Sequence, residues 1–189
     1  MSIHPMELLK QKVSSVIVND QTSLVNEKND VLSRFYPVLL YRFLEKPELV
    51  DKLREKLTPS ISDLLEDNER VRNALLLRLA AGKVSVAEVE ITLNRAIPKS
   101  LAVLSNEVGN DAIRIIYYLR DHKASIYSLL PCWTTEVLSQ LNESALQEQV
   151  LDVIPAIPSV PDAKKTNKIF PFLTLLFGFS LIFLYHLSK

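Results

Sequence analysis

The chain has 189 residues, with 22 basic and 22 acidic side chains and no formal net charge. Its first 150 residues carry 18 Lys and Arg against 20 Asp and Glu, and no basic stripe interleaves with aromatics, so nucleic acid is excluded as a partner on charge grounds. A single cysteine, Cys132, excludes a disulfide framework within the chain, and three glycines leave no phosphate-cradling loop.

The opening stretch MSIHPMELLKQKVSS lacks the apolar core and the small-residue cleavage site of a signal peptide, and it predicts a first helix over 5–19. A second helix is expected over 23–44. There Leu32, Phe35, Leu39 and Phe43 recur three or four apart on one face. Pro37 lies inside it and predicts a break or a bend, because proline removes a hydrogen bond and crowds the preceding turn. Pro47 stands at the first position of a helix over 47–57. Thr58-Pro59 repeats the device for 59–66, with Thr58 as the expected cap. Asn68 caps 69–81, and Gly82 follows where a left-handed residue would end that helix.

Ser85 and Glu88 have the spacing of a capping box at the start of 85–107. Val86, Val89, Leu93, Ile97, Leu101, Leu104 and Val108 form one apolar stripe along it, interrupted by Pro98. Gly109 is a C-cap candidate and Asn110 an N-cap candidate for 110–119. Helices over 122–130 and 133–149 complete the body. The fold class expected is all-α, a compact multi-helix bundle over residues 1–150. No period of 20 to 50 residues recurs, so a solenoid is not expected.

After the body comes DVIPAIPSVPDAKK, with Pro155, Pro158 and Pro161 spaced every third residue. The stretch 151–168 is read as an extended linker that holds the body off a surface. Residues 169–187 then contain no Asp, Glu, Lys or Arg. As a helix they would be roughly 28 Å long, matching the hydrocarbon thickness of a bilayer. Ile169, Phe172, Leu176, Gly178, Leu181, Leu184 and Leu187 are the expected membrane-span residues. Thr174 and Gly178 form a small-xxx-small pair suited to close helix packing. Lys164, Lys165 and Lys168 precede the span and only Lys189 follows it, which predicts a cytoplasmic body and contact of these lysines with lipid head groups.

The search for chemistry is negative. His4, His122 and His186 are far apart in sequence and none has a His or Cys three or four residues away, so no metal is expected. Cys132 beside Trp133 reads as a small buried thiol next to an aromatic anchor. The acidic run Glu66-Asp67-Asn68-Glu69 reads as a solvated turn leading into a helix. Tyr117, Tyr118 and Tyr127 are expected to cover core edges, with Arg114 and Arg120 as solvated stems. No cofactor, catalytic residue or small-molecule substrate is indicated.

Four stretches, FYPVLLYRF (35–43), KPELVDKLREKLTPSISDLL (46–65), VAEVEITLNRAIPKSLAVLS (86–105) and IYSLLPCW (126–133), together with the order linker then span, resemble a bacterial helical domain of unknown function. That domain is similar to the cytoplasmic N-terminal part of OmpA-family envelope proteins, in which a periplasmic peptidoglycan-binding domain follows the span. The resemblance implies a bacterial inner-membrane location. The peptidoglycan-binding part has no counterpart before Lys189, so no residue role carries over from it.

The leading expectation is a non-enzymatic, membrane-anchored scaffold or adaptor that binds a protein partner or self-associates, with its contact surface on the amphipathic helices of 23–107. Three alternatives stand beside it. One is the front part of an envelope tether of the OmpA family. Another is a tail-anchored regulator of the Bcl-2 type, although the glycines of that family's NWGR motif are missing. The last is a membrane-tethered enzyme with a dispersed site.

Overall fold

The computed structural model describes residues 3–19 and 24–141. These belong to the first of two compact units, Met1–Glu148 and Gln149–Lys189. The predicted linker 151–168, the lysines at 164, 165 and 168 and the span 169–187 lie outside the described residues, as does the end of the helix expected over 133–149.

Among the described residues the structure is all-helical, without strands. The elements are α1 (Pro5–Leu9), a π-helical turn (Lys10–Ser14), α2 (Ser15–Asn19), α3 (Val25–Glu45), α4 (Glu48–Glu55), α5 (Ile61–Leu64), α6 (Glu69–Ala80), α7 (Val86–Val108), α8 (Ala112–Asp121) and α9 (Lys123–Ser128). A further helix begins at residue 134 and is described to 141.

Two long helices, α3 and α7, pack on each other and on most of the shorter ones. From Phe35 to Phe43 nearly every side chain of α3 is buried, so it reads as apolar on all sides, as a central helix must. The stripes expected on both helices are the core itself. Leu32, Phe35, Leu39 and Phe43 are fully enclosed, as are Leu93, Ile97 and Leu104 of α7.

Neither internal proline splits its helix: Pro37 lies within a continuous α3 and Pro98 within a continuous α7. A proline inside a helix costs about 3 kcal/mol. Burying a large apolar side chain contributes about 1.5–3 kcal/mol. The enclosed run around Pro37 supplies several of these, so the tertiary environment outweighs the local defect.

The caps follow the sequence with instructive shifts. Asn68 caps α6 as expected, its side chain accepting from the Val71 amide at 3.0 Å. Thr58 does not cap α5; Ser60 does, in a reciprocal box with Asp63. The Ile61 amide donates to Asn94 Oδ1 on α7 at 2.8 Å. A helix of four residues persists because its orphan donors are met from within and from a neighbour.

At α7 only half of the expected box forms. Ser85 accepts from the Glu88 amide, but the Glu88 carboxylate turns to the buried Lys28 ammonium of α3, 2.5 Å away. The α8 cap is Asp111, one residue past the Asn110 expected. The left-handed end of α6 is Ala81 (φ 47°), with Gly82 left-handed behind it. Gly109 ends α7 at φ 102°, where a Cβ would lie 3.2 Å from the Arg114 guanidinium.

The π-helical turn has a packing role. It turns Ser14 inward, where its hydroxyl and that of the fully buried Tyr36 share a 2.8 Å hydrogen bond. Burial pushes the Tyr36 phenol up to about 12, only partly opposed by Ser14.

Candidate functional site: a groove between α4 and α8

The sequence of α8, AIRIIYYLRD, sets Ala112, Ile115, Ile116 and Leu119 at helical spacing on one face, but it leaves open how far the flanking Ile113 and Tyr117 are covered. The fold decides. Ile115, Ile116, Tyr118 and Leu119 turn inward, while Ile113 and Tyr117 stay 63% and 61% exposed. Tyr117 therefore does not cover a core edge as expected, whereas Tyr118 is buried. Ile113 and Tyr117 lie four apart and stand one above the other on the outer face.

A groove of about 250 Å³ runs along this face. Its floor is Ala112 and Ile116, one wall is Ile113 and Tyr117, and the facing wall is Pro47, Glu48 and Asp51 at the start of α4. Arg120 also lines it, its guanidinium 5.9 Å from the Tyr117 ring centre. Arg120 is exposed, as a solvated stem would be, and its guanidinium also lies over an aromatic face. Asp51 lies 4.0 Å from Arg54 one turn later and remains largely exposed. The groove thus presents two apolar side chains at helical spacing, opposed by two carboxylates. What it can do chemically is hold an amphipathic segment.

A second concavity of similar volume involves Lys52, Lys56, Asp63, Glu66 and Asp67. Lys56 pairs with Asp63, and Glu66 pairs with Lys46 and with the buried Arg42, 3.2 Å away. The acidic run is therefore more than a solvated turn: Glu66 and Asp67 are both left-handed (φ 55° and 60°), and Glu66 ties the α5–α6 junction to the end of α3. Burial would raise the Glu66 carboxyl. The hydrogen bond and charge of Lys46, with the charge of Arg42, overcome this and hold it below the usual carboxylate range. These groups serve one another and hold the fold.

The fold makes one juxtaposition that sequence spacing hid. His4 and His122 have ring centres 5.0 Å apart in a T-shaped contact, and the Tyr118 ring lies 5.2 Å from His122. Among the described residues no group of three or more His, Cys, Asp and Glu is arranged to hold a metal. Cys132 is exposed, contrary to the buried thiol expected, while Trp133 beside it packs against the core. Tyr127 does sit at a core edge, its hydroxyl donating to Glu45 at 2.6 Å.

The predicted span residues Ile169, Phe172, Leu176, Gly178, Leu181, Leu184 and Leu187 are outside the described residues. No helix among the described residues is long and apolar enough to cross a membrane. Compared with known proteins, the chain matches no family model, no curated protein and no solved structure.

Proposed function

We propose that this protein is a non-enzymatic, membrane-anchored helical adaptor whose body docks an amphipathic helix of a protein partner in the α4–α8 groove. The observation that carries the reading is the pairing of exposed Ile113 and Tyr117 with Glu48 and Asp51 across that groove. The partner chemistry follows from it. Two apolar anchors one turn apart would lie on Ile113 and Tyr117, and a flanking Lys or Arg would face the two carboxylates.

The membrane part rests on composition. Residues 169–187 form an uncharged stretch of bilayer length, with Lys164, Lys165 and Lys168 before it to contact head groups and orient the body toward the cytoplasm. The resemblance to the cytoplasmic part of OmpA-family envelope proteins gives the same side and, in bacteria, the inner membrane.

Two experiments test this. Removing residues 164–189 should release a body that keeps its helical circular dichroism. Unfolding of the shortened protein, or its retention in the membrane fraction, would refute the anchor. A photo-crosslinker at position 113 of the full chain, in its native membrane, should capture a partner helix with basic residues beside apolar anchors. Capture of a second copy would replace the adaptor with self-association, and the absence of any adduct would refute the groove as a contact surface.

A further inference from the structure

The start of α1 is held to the end of the bundle by a cluster that the adaptor reading does not use. The Tyr118 hydroxyl donates to the Ile3 carbonyl. His4 caps α1, its Nδ1 accepting from the Met6 amide at 3.2 Å. An imidazole that accepts at Nδ1 is neutral and carries its proton on Nε2. The Nε2 atoms of His4 and His122 are both shielded from water and have no hydrogen-bond partner.

We propose that the His4–His122 contact is a proton-operated latch: it holds the first turn of α1 against His122 and Tyr118 while the His4 imidazole is neutral and loosens that turn when His4 is protonated. Three features make a charged pair incompatible with the closed form. A proton on Nδ1 of His4 fills the lone pair that the Met6 amide needs. Protonated His4 has two N–H groups to place instead of one, and neither its Nε2–H nor the added Nδ1–H faces an acceptor. Two charged rings with centres 5.0 Å apart would repel.

The surrounding charges only partly compensate. Glu7 favours a charged His4. On α8, Tyr118 is a neutral phenol, pushed up to about 12 by burial and then by the charge of Glu107 at the end of α7. Glu107 is itself 3.6 Å from Lys12. Asp121 and Lys123, the chain neighbours of His122, are exposed. Burial first, and the charge of His122 second, hold His4 below the ordinary 6.5.

The sign follows. The closed form binds fewer protons than the open one, so the latch is fully present above about pH 6.5 and weakens as pH falls through that value.

The test is amide hydrogen exchange on the full chain in lipid discs, at about pH 7.5 and about pH 5.5, corrected for the intrinsic effect of pH on exchange. The Met6 and Leu8 amides should lose protection on acidification, while Phe35 and Leu104 in the core keep theirs. His4→Asn retains a capping acceptor that does not titrate, so the loss should vanish. His122→Asn removes the facing charge, so the loss should shrink. Unchanged Met6 protection in the natural protein overturns the latch. So does a loss that persists undiminished in both variants.

Discussion

Helices α3 and α8 are both rich in apolar residues, yet they end in opposite situations. The α3 helix is enclosed so fully that even Lys28 and Arg42 are only 4% and 6% exposed, each held by a carboxylate from another element. The α8 helix is shorter, carries comparable apolar density, and leaves Ile113 and Tyr117 in solvent. The difference teaches that apolar content alone does not place a side chain. Neighbours on every side enclose α3. The facing segment of α4 stops short of covering α8 and leaves a groove.

The largest expected effect lies on the enclosed side. Phe35→Ala empties the centre of α3, where nothing is solvent-exposed, and should destabilise the body by about 3–5 kcal/mol in denaturant titration. A cost below about 1 kcal/mol would mean that the centre is loosely packed and that the contrast with α8 fails.

Next comes the ion pair that closes α3. Glu66→Ala leaves the buried Arg42 guanidinium with the Leu64 carbonyl at 3.4 Å but without its carboxylate partner. Glu66 itself is 35% exposed and partly screened, so the expected loss is about 2 kcal/mol. Alanine keeps the same left-handed strain as glutamate, which isolates the charge effect. The natural Glu66 carboxyl is depressed from 4.5, so its contribution is present above that value and is lost as pH falls through the lower folded one. The variant should show a shallower acid-induced loss of stability. An identical acid profile would show that Glu66 contributes nothing in this range.

These two sites also show what the sequence carried. The stripes on α3 and α7 were legible because one face of each recurs at helical spacing. The continuity of both helices through Pro37 and Pro98 was not, because a local rule about proline has no knowledge of the surrounding enclosure. The Glu66 tether was hidden for the same reason, since its partners are on α3. His4 and His122 meet only through the closing of the bundle. The spacing of Ala112, Ile115, Ile116 and Leu119 encodes the inward face of AIRIIYYLRD, but that Ile113 and Tyr117 beside it stay uncovered depends on where α4 packs, which local spacing does not encode.

A smaller effect, of opposite sign, is expected where α6 ends. Ala81 adopts φ 47°, a conformation that L side chains resist and glycine tolerates. Ala81→Gly should stabilise the body by about 0.5–1 kcal/mol, read as a rise in thermal midpoint. A fall would show that the methyl group makes contacts worth more than the strain.

The smallest effect on stability should carry the largest consequence for function. Tyr117 is 61% exposed and contributes little to the core, so Tyr117→Ala should change folding stability by no more than about 0.5 kcal/mol. If the ring is an anchor for a partner helix, its loss should weaken that complex by about 2 kcal/mol or more, roughly thirtyfold in dissociation constant. Tyr36→Phe is the matching control on the enclosed helix. It strands the Ser14 hydroxyl in the interior and should cost about 1–2 kcal/mol of stability without touching the groove. A partner that binds Tyr117→Ala as well as the natural chain would leave the exposed face of α8 without a docking role. A stability loss at Tyr117 as large as that at Tyr36 would mean that α8 needs its outer face to stay folded. The two helices would then differ in exposure but not in purpose.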